Sequence, residues 1–266
     1  LLVCELVQNN AQCVLKLDQA VPMENWFNWS TPVIDDLVIL LAALDSVAPT
    51  LVKKCLPVFF KGILHDKSSK IESIITCASV IERQISEKLI TYSYLLETNF
   101  LSAFVIEIPK ESIRHIFAQC SSFKQLIINV YSLDESKSFR PSVFKAILDI
   151  CIDSLISCIT CFFAVDPSEM CTMVLIDHIN KTKDLKLVQV FISVFVTSKT
   201  AAKNFVKTNG IKWAFEKLSV GDLVEILASL VCTRRFDELE DAILALPEDH
   251  PLLCQSVEVI EKIVFG

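Results

Sequence analysis

The residues of this chain best suited to chemistry are two cysteines three positions apart, Cys158 and Cys161. Cys151 and Cys171 are the nearest other thiols in the sequence. A structural zinc site places two such pairs, or added histidines, on turns, and a redox pair begins a helix after a strand. Here the pair lies inside an apolar run of helical period, so we predict buried structural thiols. A metal-binding or redox-active module that uses this pair is the alternative.

The four histidines are widely separated in the sequence, at His65, His115, His178 and His250. Catalysis by histidine needs a nucleophile and an orienting group within hydrogen-bond reach. The sequence has no phosphate-binding loop, nucleophile elbow or zinc-protease motif. We therefore predict that the chain is not an enzyme and has no catalytic residues, no metal ion and no cofactor.

Two clusters are candidates for binding a protein partner. Aromatic side chains on a loop are enriched at binding hot spots, although packing beneath a neighbouring helix is the alternative for them. An acidic run at a helix start is more commonly a solvated face or a complement to the helix dipole. The candidate interaction surface consists of Trp26, Phe27 and Trp29 in the loop and of Asp237, Glu238, Glu240 and Asp241 in the acidic run.

The composition favours helices. Of the 266 residues, 52% are hydrophobic and 21% charged, with only 4 Gly and 9 Pro. All-β folds need many turns, and disordered chains are far less apolar. The predicted class is therefore all-α.

Apolar residues recur with helical period, and they divide the chain into short helices joined by tight turns. We predict a helix bent at Pro57, another that begins at Ser86, and a long one over 142–165. The stretch 100–108 fits either a short strand or a helix. A polar break at 133–139 suggests two helical halves, 1–133 and 134–266, which we expect to form one continuous α-solenoid of antiparallel helices.

The clearest corner lies at Asn209-Gly210, between two apolar helical segments. Glycine adopts the left-handed conformation after a helix end without the steric cost of a Cβ. We predict that Gly210 is the left-handed residue, that Ile211 starts the next helix, and that Trp213 lies in the core between consecutive helices.

The segment around this corner, 184–218, resembles the last two helices of an armadillo repeat and the turn to the next repeat. It lacks the double glycine usual in that family. The resemblance implies an irregular armadillo-like stack in the C-terminal half. It is carried by Val188, Val190, Phe191, Val194 and Phe195 in one helix, Asn204, Phe205 and Val206 in the next, and the Gly210-Ile211 step.

Two further stretches, 232–236 and 246–252, are similar to the armadillo-like region upstream of the BEACH domain in beige- and neurobeachin-like proteins. This likeness implies a scaffold segment of a large cytosolic protein that acts at vesicle or organelle membranes. No BEACH, PH or WD-repeat sequence is present in the chain itself.

Charge and cysteine content limit the partners and the compartment. The net charge is −7 and the pI about 5.2, and we see no basic patch, which argues against nucleic-acid binding. Eleven cysteines without a spaced framework indicate reduced thiols in the cytoplasm. The apolar window 147–165 has the length of a membrane span, but Asp149 and Asp153 lie within it. A buried helix is the prediction there, and a membrane-inserted segment the alternative.

These observations predict a non-enzymatic helical scaffold that binds protein partners and the flanking domains of its own chain. The sequence begins without Met, and we interpret it as a segment of a longer protein. We expect a cytoplasmic location, with peripheral association at vesicle or organelle membranes through the parent protein.

Overall fold

A computed structural model describes residues 34–65, 71–133, 140–150 and 156–231, together with the isolated positions 16 and 19. These described residues contain no β-strand and are predominantly helical, which confirms the all-α class. The chain divides into two compact units, Leu1–Ile150 and Cys151–Gly266. The break predicted at 133–139 falls mainly on residues outside the described ones, so the division into halves and their union as one solenoid stay predictions.

In the first unit, short helices follow one another with brief connections. Its elements are α1 (Ile34–Val47), a 3₁₀ turn (Pro49–Leu51), α2 (Val52–His65), α3 (Ile71–Ser86), α4 (Tyr92–Glu97), a π-helical segment (Ser102–Glu107), α5 (Lys110–Gln119), α6 (Ser121–Ser132) and α7 (Arg140–Ile150).

Phenylalanine rings form the centre of this unit. Phe59 and Phe60 on α2 meet Phe100 and Phe104 at the π-helical segment, with ring centroids 5.6 to 6.3 Å apart. Phe123 on α6 lies 5.5 Å from Phe104. All five rings are buried, and burial of each stabilises the fold by about 1.5–3 kcal/mol. The helical alternative for 100–108 is therefore confirmed over most of this stretch, and Phe100 and Phe104, four residues apart, lie on the same helix face.

The helix predicted to begin at Ser86 is wrong, since Ser86 is the last residue of α3. The chain reverses through Lys88, whose φ is 62°. The next helix starts after Thr91, whose side chain accepts a hydrogen bond from the backbone N–H of Tyr94. A threonine at this position satisfies one of the unpaired N–H groups of the first turn, so the helix starts here and not at Ser86.

Pro57 lies inside the continuous helix α2. Proline has no N–H, so the carbonyl of Lys53, four residues earlier, loses its helical donor. The hydroxyl of Tyr94 on α4 donates a hydrogen bond to this carbonyl. The ammonium group of Lys53 also lies over the Tyr94 ring, 4.7 Å from its centroid. The Lys53 carbonyl, which lacks a helical donor because of Pro57, therefore accepts a hydrogen bond from α4 instead.

A polar contact joins α1 to α3 within the core of the first unit. The Oδ1 atom of Asp45 accepts a hydrogen bond from Nε2 of Gln84 at 2.8 Å. Its Oδ2 atom lies 2.5 Å from Nη2 of Arg83. Asp45 and Gln84 are both buried, and a buried charge needs this kind of pairing. The contact fixes the register of α3 against α1.

The second unit continues the pattern of short helices. Its elements are α8 (Ile156–Val165), α9 (Glu169–Thr182), a 3₁₀ turn (Leu185–Leu187), α10 (Val188–Phe195), α11 (Lys199–Lys207), α12 (Gly210–Lys217) and α13 (Val220–Val231). The run predicted as one helix over 142–165 is helical in α7 and α8, and residues 151–155 lie outside the described ones. In the part of the chain that the structure describes, no helix combines the length and apolarity that a membrane span requires.

An aromatic cluster holds α8, α10, α11 and α12 together. Phe191 on α10 contacts Phe163, Phe205 and Trp213, with centroid separations of 5.0 to 6.1 Å. Phe195 lies 5.0 Å from Phe205. Ser198 begins α11 by accepting a hydrogen bond from the N–H of Ala201, which sets the start of this helix.

Candidate functional site

The two cysteines of the Cys158–Cys161 pair occupy different environments on α8. Cys158 is buried, whereas Cys161 is exposed. The buried face of α8 is formed by Cys158, Ile159, Phe162 and Phe163, and three residues of helix rotate Cys161 about 60° away from Cys158, beyond that face. The prediction of a buried thiol is therefore confirmed for Cys158 and wrong for Cys161.

This geometry does not favour disulfide chemistry at the pair. Residues three apart on a helix have Cβ atoms about 5–6 Å apart, whereas a disulfide needs about 3.8 Å. Across the described ranges, no group of three or more His, Cys, Asp or Glu residues could hold a metal ion. Of the two nearby thiols, Cys171 donates to Oδ2 of Asp166 at 3.4 Å, and Cys151 lies outside the described residues.

The two histidines whose side chains the structure describes belong to different compact units. His115 is exposed on α5 and His178 is half-buried on α9, in the other compact unit. His65 ends α2 and its side chain is not among those described, and His250 lies outside the described residues. The expectation that histidine does no catalysis here stays a prediction.

The structure does not describe the candidate interaction surface that the sequence predicts. All of its members lie outside the described residues: Trp26, Phe27, Trp29, Asp237, Glu238, Glu240 and Asp241. Their role in partner binding stays a prediction.

The corner between α11 and α12 is present, but its left-handed residue is not the one that the sequence predicted. Asn209, with φ 57° and ψ 27°, adopts the left-handed conformation. Gly210 is the first residue of α12 and has no positive φ. The prediction that Gly210 is the left-handed residue is therefore wrong. Asparagine tolerates this conformation because its short polar side chain can bond locally. Glycine is needed one residue later, where the backbone passes the Phe205 ring.

Trp213 lies in the core, as predicted, with 8% of its surface exposed. Its ring is 6.3 Å from Phe205 on the preceding helix. Its indole N–H donates to Oδ1 of Asn180 on α9 at 2.9 Å. The corner is thus packed against α9 and α11 by one large side chain whose polar atom is satisfied.

A row of exposed lysines on α11 was missed in the sequence. Lys199, Lys203 and Lys207 recur every four residues and are all exposed. The spacing was visible in the sequence, but each lysine stands alone among apolar and small residues, and the whole chain is acidic. The net charge of the chain therefore gives no sign of this row. Only the burial of the opposite side of α11 shows that the three lysines share one solvent-facing stripe.

The N-terminus of α9 lies beside the C-terminus of α11. Nζ of Lys207 is 3.2 Å from Oε1 of Glu169, and Nδ2 of Asn204 donates to the carbonyl of Pro167 at 2.7 Å. Met170 and Met173, in the first turns of α9, are 57% and 51% exposed. We call the surface formed by Lys199, Lys203 and Lys207 on α11, Met170 and Met173 on α9, and Val196 just after α10 the α9–α11 face.

Comparison with protein-family models, with curated proteins and with solved structures finds no match to this chain in any of the three. The arrangement of its own residues is therefore the basis for a functional conclusion.

Proposed function

We propose that this chain is a non-enzymatic helical scaffold segment of a larger cytosolic protein, and that it binds protein partners through exposed side chains on a well-packed stack of helices. The observation that carries the proposal is the α9–α11 face. There, cationic and apolar side chains are exposed beside α9 and α11, whose other sides are buried, and the buried side of α11 packs in an aromatic core. The backbone of a surface held in place in this way loses little conformational freedom on binding.

The contacts behind this face support a binding role. Phe205 on α11 is fully buried among Phe191, Phe195 and Trp213. Ser198 caps the start of the helix, and Asn204 ties its last turn to the carbonyl of Pro167, two residues before α9 begins. Because both ends of α11 are held, its exposed side chains keep a constant spacing.

A place in membrane trafficking, at the surface of vesicles or organelles, belongs to the proposal through the resemblance to the region upstream of BEACH domains. In that setting the parent protein supplies the membrane contact and this segment supplies protein binding. The flanking domains of the same chain are then partners as well.

The proposal is tested by direct binding. The purified chain is used to capture partners, each captured protein is purified alone, and the pair is measured by titration calorimetry. We expect at least one protein to bind in a defined stoichiometry while circular dichroism of the chain is unchanged. Stoichiometric zinc in the purified chain, with loss of folding on chelation, would overturn the proposal in favour of a metal-binding module.

A further inference from the structure

The lysine row on α11 has a fixed geometry. Successive lysines at Lys199, Lys203 and Lys207 are separated by about 6 Å along the helix axis, so the row is about 12 Å long. The other side of α11 is anchored by Ala201, Ala202 and Phe205, all of which are buried. The backbone positions of the three lysines are therefore set by the fold.

Little negative charge on α11 or on the segments next to it in sequence neutralises this row, and the acids on α9 are the exposed Glu169 and Asp177. Between Asp184 and Glu216 the sequence contains five lysines and no Asp or Glu. Among the described residues, the ion pair that the row makes is Lys207 with Glu169, and both side chains are about half exposed, at 52% and 53%. A pair this exposed contributes little and yields readily to a competing carboxylate.

Apolar side chains stand at both ends of the row. Val196, three residues before Lys199, is 59% exposed. At the other end, the contact between Lys207 and Glu169 brings the exposed Met170 and Met173 of α9 alongside. Methionine is flexible and polarisable, and it adapts to varied apolar surfaces.

We propose that the α9–α11 face binds an acidic, amphipathic segment of a partner protein. Carboxylates of the partner pair with Lys199, Lys203 and Lys207, and its apolar residues cover Val196 and the two methionines. This inference rests on the proposed function as a protein-binding scaffold. Charge complementarity carries it, because carboxylates four residues apart on a partner helix have the same spacing of about 6 Å as the lysines.

Two other anionic partners fit less well. Phosphate recognition in nucleic acids favours the planar fork of arginine, and residues 156–231 contain no arginine. Lipid-binding clusters usually have about four to eight basic residues, whereas this row has three lysines.

The test uses a fluorescent peptide of about 20 residues with glutamate at every fourth position and leucine at adjoining positions, long enough to form helix. A matched peptide carries glutamine in place of glutamate. The full chain is titrated into each peptide and followed by anisotropy at two salt concentrations. We expect the glutamate peptide to bind at least tenfold more tightly (about 1.4 kcal/mol) and to weaken with salt.

The variants locate the site. The triple variant Lys199→Glu, Lys203→Glu, Lys207→Glu should weaken binding by about tenfold or more, since attraction becomes repulsion. The control variant Lys61→Glu, Lys145→Glu, Lys217→Glu has the same net charge, alters exposed lysines elsewhere, and should change binding by less than about twofold. If the charge-reversed variant does not fold, the Lys→Gln triple variant replaces it.

Equal weakening by both triple variants would overturn the assignment of this face. Binding to phosphatidylserine vesicles in preference to the glutamate peptide would overturn the choice of an acidic protein segment. A captured partner that binds the α11 triple variant as tightly as the wild type would contradict this inference without contradicting the scaffold function. The absence of any protein partner would count against the scaffold function itself.

Discussion

Gly210 packs directly against the ring of Phe205. A Cβ placed on Gly210 would lie 2.5 Å from Cδ2 and 2.6 Å from Cε2 of that ring, and 2.6 Å from the Phe205 carbonyl oxygen. The ring cannot move away easily, because Phe205 is fully buried between Phe195 and Trp213. The absence of a side chain at position 210 therefore sets how closely α12 approaches α11.

We expect Gly210→Ala to lower the free energy of unfolding by about 1–3 kcal/mol, the usual cost of an overpacked core. The matched control is Gly221→Ala in α13, where the nearest atom to the new Cβ is 3.9 Å away. That change should be neutral or slightly stabilising, because alanine favours helix but Gly221 lies in the first turn of α13. Urea denaturation measures both. Equal effects of the two substitutions would show that the contact with Phe205 is unimportant.

The left-handed conformation of Asn209 leads to a second prediction. Its φ of 57° penalises any residue with a branched side chain. We expect Asn209→Gly to be neutral or stabilising and Asn209→Val to cost about 1–2 kcal/mol. Thermal unfolding followed by circular dichroism is the measurement. An Asn209→Val variant as stable as Asn209→Gly would contradict the left-handed corner.

The hydrogen bond from Tyr94 to the Lys53 carbonyl should depend on Pro57. We expect Tyr94→Phe to cost about 0.5–1.5 kcal/mol, because it removes the donor that replaces the missing proline N–H. In a Pro57→Ala background the helix supplies its own N–H to Lys53, so the same substitution should cost nearly nothing. A double-mutant cycle in urea measures this coupling. Additive effects would show that the tyrosine hydroxyl and the proline are independent.

Trp213→Ala should lower the free energy of unfolding by about 3–5 kcal/mol, because it empties a space between α9, α11 and α12. Trp213→Phe keeps a ring in the core and loses the hydrogen bond to Asn180, so its cost should be nearer 1 kcal/mol. Calorimetry measures both melting temperatures. An unchanged melting temperature for the alanine variant would mean that the corner assignment is wrong.

Thiol reactivity should follow burial. Burial raises the pKa of the Cys77 thiol well above its ordinary value, and reaction requires the thiolate. We expect Cys161 to react with iodoacetamide in the native chain at pH 8, and Cys77 and Cys158 to react after unfolding. Because the folded pKa of Cys77 is raised, its contribution to stability is complete below the unfolded pKa of about 8.5 and declines as the pH rises above it.

Residue-level mass spectrometry measures the extent of labelling at each cysteine, and urea titrations from pH 7 to pH 10 measure the free energy of unfolding. Cys77→Ala, which cannot ionise, is the control for the alkaline decline. Early labelling of Cys77 alongside Cys161 would contradict the described packing of α3.

The class of the fold, most helices and the position of the α11–α12 corner could be predicted from the sequence. Apolar periodicity is a local property of each segment, and most of the helices follow from it. The burial of Trp213 also followed, because a large apolar side chain beside a tight turn has few other places to lie. The helix start predicted at Ser86 was wrong for a local reason. The side chain of Thr91 caps the first turn of α4, so the helix begins after Thr91.

The remaining features depended on contacts between residues distant in sequence. The need for glycine at Gly210 comes from the Phe205 ring, and the tolerance of Pro57 comes from Tyr94 on another helix. The lysine row became a surface because packing buried the opposite side of α11. Local sequence thus determined which segments are helical. Tertiary structure decided which faces are covered, since burial depends on the partner that each helix meets.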